Sequence, residues 1–123
     1  DEPVDDAFLA MVNYGIIGLI QLSMGYADRK DITPEQALDL YDRHMTATRE
    51  LMHAKNHDYN EAWRKMRVSS YTDLILMKLM RTKVIEDNAG VTRVSEGIGA
   101  NYQDIIVYSI FALIKLAEAN GQI

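Results

Sequence analysis

Cysteine is absent from the 123-residue chain. Disulfides, thiolate nucleophiles and cysteine-ligated zinc are thereby excluded, and a reducing, cytoplasmic setting is the expectation. Proline occurs twice, and no stretch keeps strict two-residue alternation for the length of a strand, so the dominant period is helical. Long apolar runs are also missing. Those near Met11–Leu22 and Ile105–Leu116 are about a dozen residues each, against the roughly 20 that span a bilayer, so they read as core helices and no membrane is expected. The first six residues, "DEPVDD", lack the basic charge of a secretory signal. Positive charge is scarce overall, and a net charge of −5 disfavours broad nucleic-acid binding.

The composition that remains, 48% hydrophobic and 25% charged, is that of one ordinary globular domain with a single core. Its charge is uneven. Residues 55–93 hold eight Lys/Arg against five Asp/Glu, whereas the rest of the chain holds five against thirteen. A locally basic middle suits a compact anionic ligand, and a solvated helix face is the plainer explanation.

Helix signals divide the chain. The first helix is expected over Val4–Met24, with Phe8, Met11, Val12, Ile16, Leu19 and Ile20 apolar and Gly25 as its stop. Thr33-Pro34-Glu35-Gln36 is a capping box with proline at the first helical position. It opens a second helix with Ala37, Leu38, Tyr41, Met45, Thr48 and Met52 on one face, to about Ala54. A short helix through Trp63 follows. Ser70, with Asp73 three residues on, reads as the cap of a helix ending at Asn88-Ala89-Gly90, and the last helix runs from about Ala100 to Ala119, stopped by Asn120-Gly121. The expected fold is an all-α bundle of four long helices and one short one.

The chain also repeats itself. "FLAMVNYGIIGLIQL" (8–22) aligns with "YQDIIVYSIFALIKL" (102–116) at an offset of 94, sharing Tyr14/Tyr108, Ile16/Ile110, Leu19/Leu113, Ile20/Ile114 and Leu22/Leu116. Chance similarity of two apolar helices is the alternative to duplication. Under duplication, residues 1–25 are the tail of a preceding repeat and residues 33–123 form the domain proper. Two helices apolar on nearly every side need neighbours all round, so a homodimer or larger assembly is expected, with the first helix at the interface.

Chemically capable side chains are densest in "KNHDYNEAWRKMR", Lys55 to Arg67. His53 and His57 stand four apart, as metal ligands on one helix face do. No glutamate follows His53 in the zinc-protease manner, and Asn56-His57-Asp58 reads as a helix break, so an exposed or structural pair is preferred. Asp58 with Glu61 reads as an N-cap with its box residue. Trp63 is a core anchor or a base-stacking platform. Lys55, just before the cap, is placed to reach an anion at that helix N-terminus. Lys78 and Arg81 sit three apart in an apolar stripe and call for a partner among Glu86, Glu96, Asp104 or a phosphate. Asp104, with Asn101 three before it, is an acid in the most apolar helix, which demands pairing, hydrogen bonds or a metal. No Gly-rich phosphate loop, nucleophile elbow or Ser/His/Asp pattern is present.

The elements K-x-x-D-Y-x-x-A-W (from Lys55), R-x-S-S-x-x-D (from Arg67), S-E-G-I (from Ser95) and the closing helix resemble the bacterial nucleotide-modification-associated domain family, type one, over roughly residues 36–118. The layout also resembles all-α nucleoside triphosphate pyrophosphohydrolases of the MazG type, which bind Mg²⁺ through paired acidic motifs. Here Lys78 and Arg81 stand near the first acidic pair, and Asn101-x-x-Asp104 replaces the second. The resemblance implies a nucleotide-binding protein of nucleotide metabolism or DNA modification, with Mg²⁺-dependent nucleoside triphosphate pyrophosphohydrolysis left open as its activity. In that reading Lys55, Asp58, Tyr59, Trp63, Arg67, Lys78 and Arg81 contact nucleotide, and Asp104 with Glu86 or Glu96 holds Mg²⁺. It also implies that family members carry tandem copies. The alternative is a non-catalytic dimerisation scaffold in which Lys78–Asp104 is an internal ion pair and Trp63 is core.

Overall fold

A helix apolar on most sides must be surrounded, and the final helix is built that way. The computed structural model describes residues 4–24, 32–58, 61–87 and 97–121, with Asp58 described by its backbone alone. Within these, four α-helices and one short 3-10 helix make an all-α bundle: α1 (Val4–Met24), α2 (Pro34–Asp58), η1 (Ala62–Lys65), α3 (Val68–Asp87) and α4 (Ile98–Ala119). α4 is central, burying Asn101, Asp104, Ile105, Ile106, Val107, Ser109, Phe111 and Ala112.

α1 and α3 flank it, and glycine lets α1 come close. A Cβ on Gly15 would stand 2.6 Å from Ile106 Cγ1, and one on Gly18 would stand 2.9 Å from Tyr102 Cε2. Residue numbers rise along α1 as they fall along α4, so the two helices are antiparallel. α3 is antiparallel to α4 as well, since Tyr71 meets Phe111 (ring centroids 6.2 Å apart) and Lys78 meets Asp104. α1 and α3 therefore run parallel to each other, on either side of α4. Val12, Ile16, Leu19 and Ile106 form one buried cluster, and Phe8, Tyr71, Ile75, Ile105 and Phe111 belong to another. Full burial of side chains such as Ile16 and Ile106 contributes about 1.5–3 kcal/mol each.

α2 begins where the sequence says it should. Thr33 N–H donates to Gln36 Oε1 (2.8 Å) and Gln36 N–H donates to Thr33 Oγ1 (3.1 Å), the two halves of a capping box. Tyr41 and Met45 pack on the first cluster and Met52 on the second, while Leu38 faces solvent rather than the shared face. α4 stops as expected: Gly121 takes φ +72° and donates its N–H to the Glu118 carbonyl at 3.1 Å.

Several local expectations are corrected. α2 runs unbroken through Asn56-His57-Asp58, because Lys55 and Asn56 in its last turn are both tied to other elements. Asp58 is therefore the end of α2 and not the cap of the next helix. The residue preceding η1 is Glu61, in the left-handed region (φ 59°), and it makes no capping hydrogen bond. α3 starts at Val68, so Ser70 lies inside its first turn and donates its N–H to Arg67 O. α4 starts at Ile98, two residues before the expected Ala100. α1, counted from Val4, is long and apolar enough by length and composition to cross a membrane, as core helices can also be. The proposed stops at Gly25 and Asn88-Ala89-Gly90 lie outside the described residues.

Candidate functional site

One carboxylate faces two ammonium groups in the interior of the bundle. Asp104, 8% exposed, accepts from Lys55 Nζ on Oδ1 at 2.5 Å and from Lys78 Nζ on Oδ2 at 2.9 Å. Three helices converge to do this: α2 carries Lys55 in its last turn, α3 places Lys78 at its middle, and α4 presents Asp104 one turn after Asn101. Burial by itself pushes the Asp104 carboxyl up, but hydrogen bonds and charge from Lys55 and Lys78 outweigh it and hold the group below its ordinary value. Both lysines keep part of their side chains in solvent, 29% for Lys55 and 20% for Lys78. The two ammonium groups thus lie nearer the water than the carboxylate they share.

Beside Lys55 opens a cleft of about 230 Å³, lined by Asn56, Trp63, Met66, Tyr71, Tyr108 and Phe111 among others. Trp63 stacks on Phe111 with centroids 4.5 Å apart and rings 8° from parallel, and its indole N–H donates to Asn56 Oδ1 at 2.5 Å. The Trp63 carbonyl accepts from the buried Tyr71 hydroxyl at 2.6 Å. Burial, with a smaller contribution from Tyr108, pushes the Tyr71 phenol up to about 12. η1 is held on α4 from outside by Arg64–Glu118 (2.7 Å), by Lys115 Nζ on Arg64 O (2.6 Å) and by Arg64 over the Trp63 ring. The run that looked richest in chemistry is mostly a buckle fastening α2 to α4.

The structure brings Lys55, Lys78 and Asp104 together and sets Trp63 in the adjoining wall. Arg81 lies half-buried one turn beyond Lys78, and Glu86 is exposed further along α3. Arg67 is exposed just ahead of α3, and His53 and His57 are exposed on α2. Tyr59 and Glu96, together with the Asp58 side chain, lie outside what is described. Among the described residues no three His, Asp or Glu side chains group as metal ligands do. Asn101 is fully buried, and among the described residues neither its amide nitrogen nor its amide oxygen has a hydrogen-bond partner. Asn56, Tyr71, Tyr108 and Phe111 were not singled out from sequence. Tyr108 and Phe111 fall four and seven residues after Asp104, the spacing of one helix face, which is the signal that points to them.

Fold and site together define a small helical domain with a lysine-rich polar cluster let into its core beside an aromatic cleft. The chain belongs to the nucleotide modification associated domain 1 family, whose profile matches residues 55–116, just over half of the 123. The matched segment runs from Lys55 through Asp104 to Leu116, close to the end of the closing helix. No curated protein and no solved structure matches the chain.

Proposed function

We propose that this domain binds a nucleotide, holding its phosphates at Lys55 and Lys78 and its base against the cleft walled by Trp63. The observation that carries the reading is one carboxylate shared by Lys55 and Lys78, the first of which also lines an apolar cleft. Asp104 fixes the two ammonium groups in place, and Lys55 lines the cleft with part of its side chain in solvent. Ammonium donors so placed suit a compact anion, and the apolar walls suit a planar base. The family's association with nucleotide modification supports the same ligand class.

Magnesium fits these residues poorly. Each Asp104 oxygen already faces an ammonium group, so a divalent cation there would meet two like charges at close range. Lysine and arginine occupy the stretch of α3 where a MazG-type enzyme would carry its first acidic pair. The reading adopted is therefore binding without a resident metal, rather than pyrophosphate hydrolysis. The scaffold alternative draws on Trp63, which is stacked and buried as a core residue would be.

Thermal denaturation with a panel of nucleoside and deoxynucleoside triphosphates, with and without Mg²⁺, tests the proposal. A ligand at about 100 times its Kd adds roughly 2.7 kcal/mol to stability. At least one nucleotide should raise Tm in wild type and lose that effect in Lys55→Met. Absence of a shift with every nucleotide at millimolar concentration would sink the idea, and metal-dependent pyrophosphate release would restore the enzymatic version.

A further inference from the structure

α1 and α3, lying parallel on α4, leave a trough between them. Two hollows of about 440 and 360 Å³ meet at Met11 and Leu79 and make it continuous. Its floor is apolar, with Phe8, Ile75, Tyr102 and Ile105. Beside it on α3 stands a bare ridge: Leu76, Met77, Met80 and Val84 are 52, 64, 70 and 66% exposed. Across the trough on α1, Tyr14 is 70% exposed. Scattered exposed apolar residues are ordinary, but a contiguous surface of this kind marks a contact.

We propose that this face joins two copies of the chain, each laying its α3 ridge antiparallel into the other's trough. Ridge and trough stand side by side on one molecule, which is the self-complementarity a two-fold interface requires. The packing within one chain fixes the direction. α3 runs antiparallel to α4, and α1 repeats the α4 frame, so a partner α3 seated on α1 in the same way runs antiparallel to α1 and to the resident α3, which also opposes the helix dipoles. The trough wall on α1 is also shaped as a helix seat. Ala7, Met11, Tyr14 and Gly18 stand 94 residues before Asn101, Ile105, Tyr108 and Ala112, on the α4 face that already carries α3 in the same chain.

Sedimentation velocity of the whole chain tests this, with no nucleotide present, so its outcome is separate from that of the binding proposal. The expected species has twice the 14.0 kDa chain mass. Met80→Glu on α3 and Tyr14→Glu on α1 should each weaken association about tenfold or more, with helical circular dichroism unchanged because both side chains are exposed in a single copy. Leu38→Glu, on an exposed part of α2, should leave the dimer intact. A chain that stays monomeric at about 100 μM overturns the proposal. So does a dimer indifferent to both Met80→Glu and Tyr14→Glu, or one broken by Leu38→Glu. A monomer that floats with lipid vesicles would overturn it too, assigning the bare face to a membrane surface.

Discussion

α1 and α4 share one apolar frame, identical at five of fifteen aligned positions, and live in different surroundings. They pack on each other through shared positions, with Val12, Ile16 and Leu19 of one helix against Ile106, Ile110 and Leu113 of the other. The two sets occupy equivalent positions 94 apart, so the same repeated face of each helix meets the other across the antiparallel crossing. The other faces diverge. α4 carries Asn101 and Asp104 where α1 carries Ala7 and Ala10, and α4 is covered by α3 and η1 where α1 leaves Tyr14 and Ile17 bare. The shared apolar frame sets the packing, and the polar residues set beside it set the chemistry.

Substitutions at matched positions should separate the two helices. The largest effect is expected at Asp104→Ala, which removes the carboxylate from between Lys55 and Lys78 and costs about 3 kcal/mol in urea denaturation. Its counterpart Ala10→Asp should cost only about 1 kcal/mol, from lost helix propensity and partial desolvation of a carboxylate at a half-buried position. Equal losses at the two positions would break the comparison. Acid should reveal the same group. The folded Asp104 carboxyl lies below the unfolded value of about 3.9. On acidification the unfolded chain takes up the proton first, so the stabilisation is complete above that value and is lost as pH falls through the folded one. Wild type should therefore lose stability below about pH 4 more steeply than Asp104→Ala does.

Gly15→Ala comes next, at about 1–3 kcal/mol, since the added Cβ meets Ile106 at 2.6 Å and the crossing must open. Its repeat partner Ser109→Ala removes only a hydroxyl bonded to the Ile105 carbonyl of its own helix and should cost about 1 kcal/mol or less. Tyr71→Phe, which strips the Trp63 carbonyl of its buried donor, should cost about 1–2 kcal/mol. It should also flatten the alkaline limb. A phenol raised from 10.0 to about 12 stabilises the fold fully below the unfolded value and progressively less as pH rises through the folded one. Chemical denaturation between those two pH values should show wild type falling faster than the phenylalanine variant.

Much of this architecture was legible beforehand, for identifiable reasons. Helical period, the Thr33–Gln36 box and the Asn120-Gly121 stop are local signals, and local signals fix element identity. Asp104 was conspicuous because an acid in an apolar helix must find a partner, and Lys78 was named among those partners. Lys55 was assigned instead to an anion at a helix N-terminus. Its bond to Asp104 spans 49 residues of sequence, a separation that no periodicity encodes. The misread break at Asn56-His57-Asp58 has the same origin. Asn56 weakens a helix by intrinsic propensity, but Trp63 seven residues later takes its side chain and keeps the helix intact. The parallel placing of α1 and α3, and so the trough between them, was likewise beyond a one-dimensional reading.

The central claim is that Lys55 and Lys78, held by Asp104, form the phosphate seat of a nucleotide site. Calorimetric titration of wild type and Lys55→Met with the nucleoside triphosphate that raises Tm most tests it directly. Saturable binding by wild type, weakened about tenfold or more in the variant, is the predicted result. Equal affinity in both proteins, or no saturable heat from either, would contradict it.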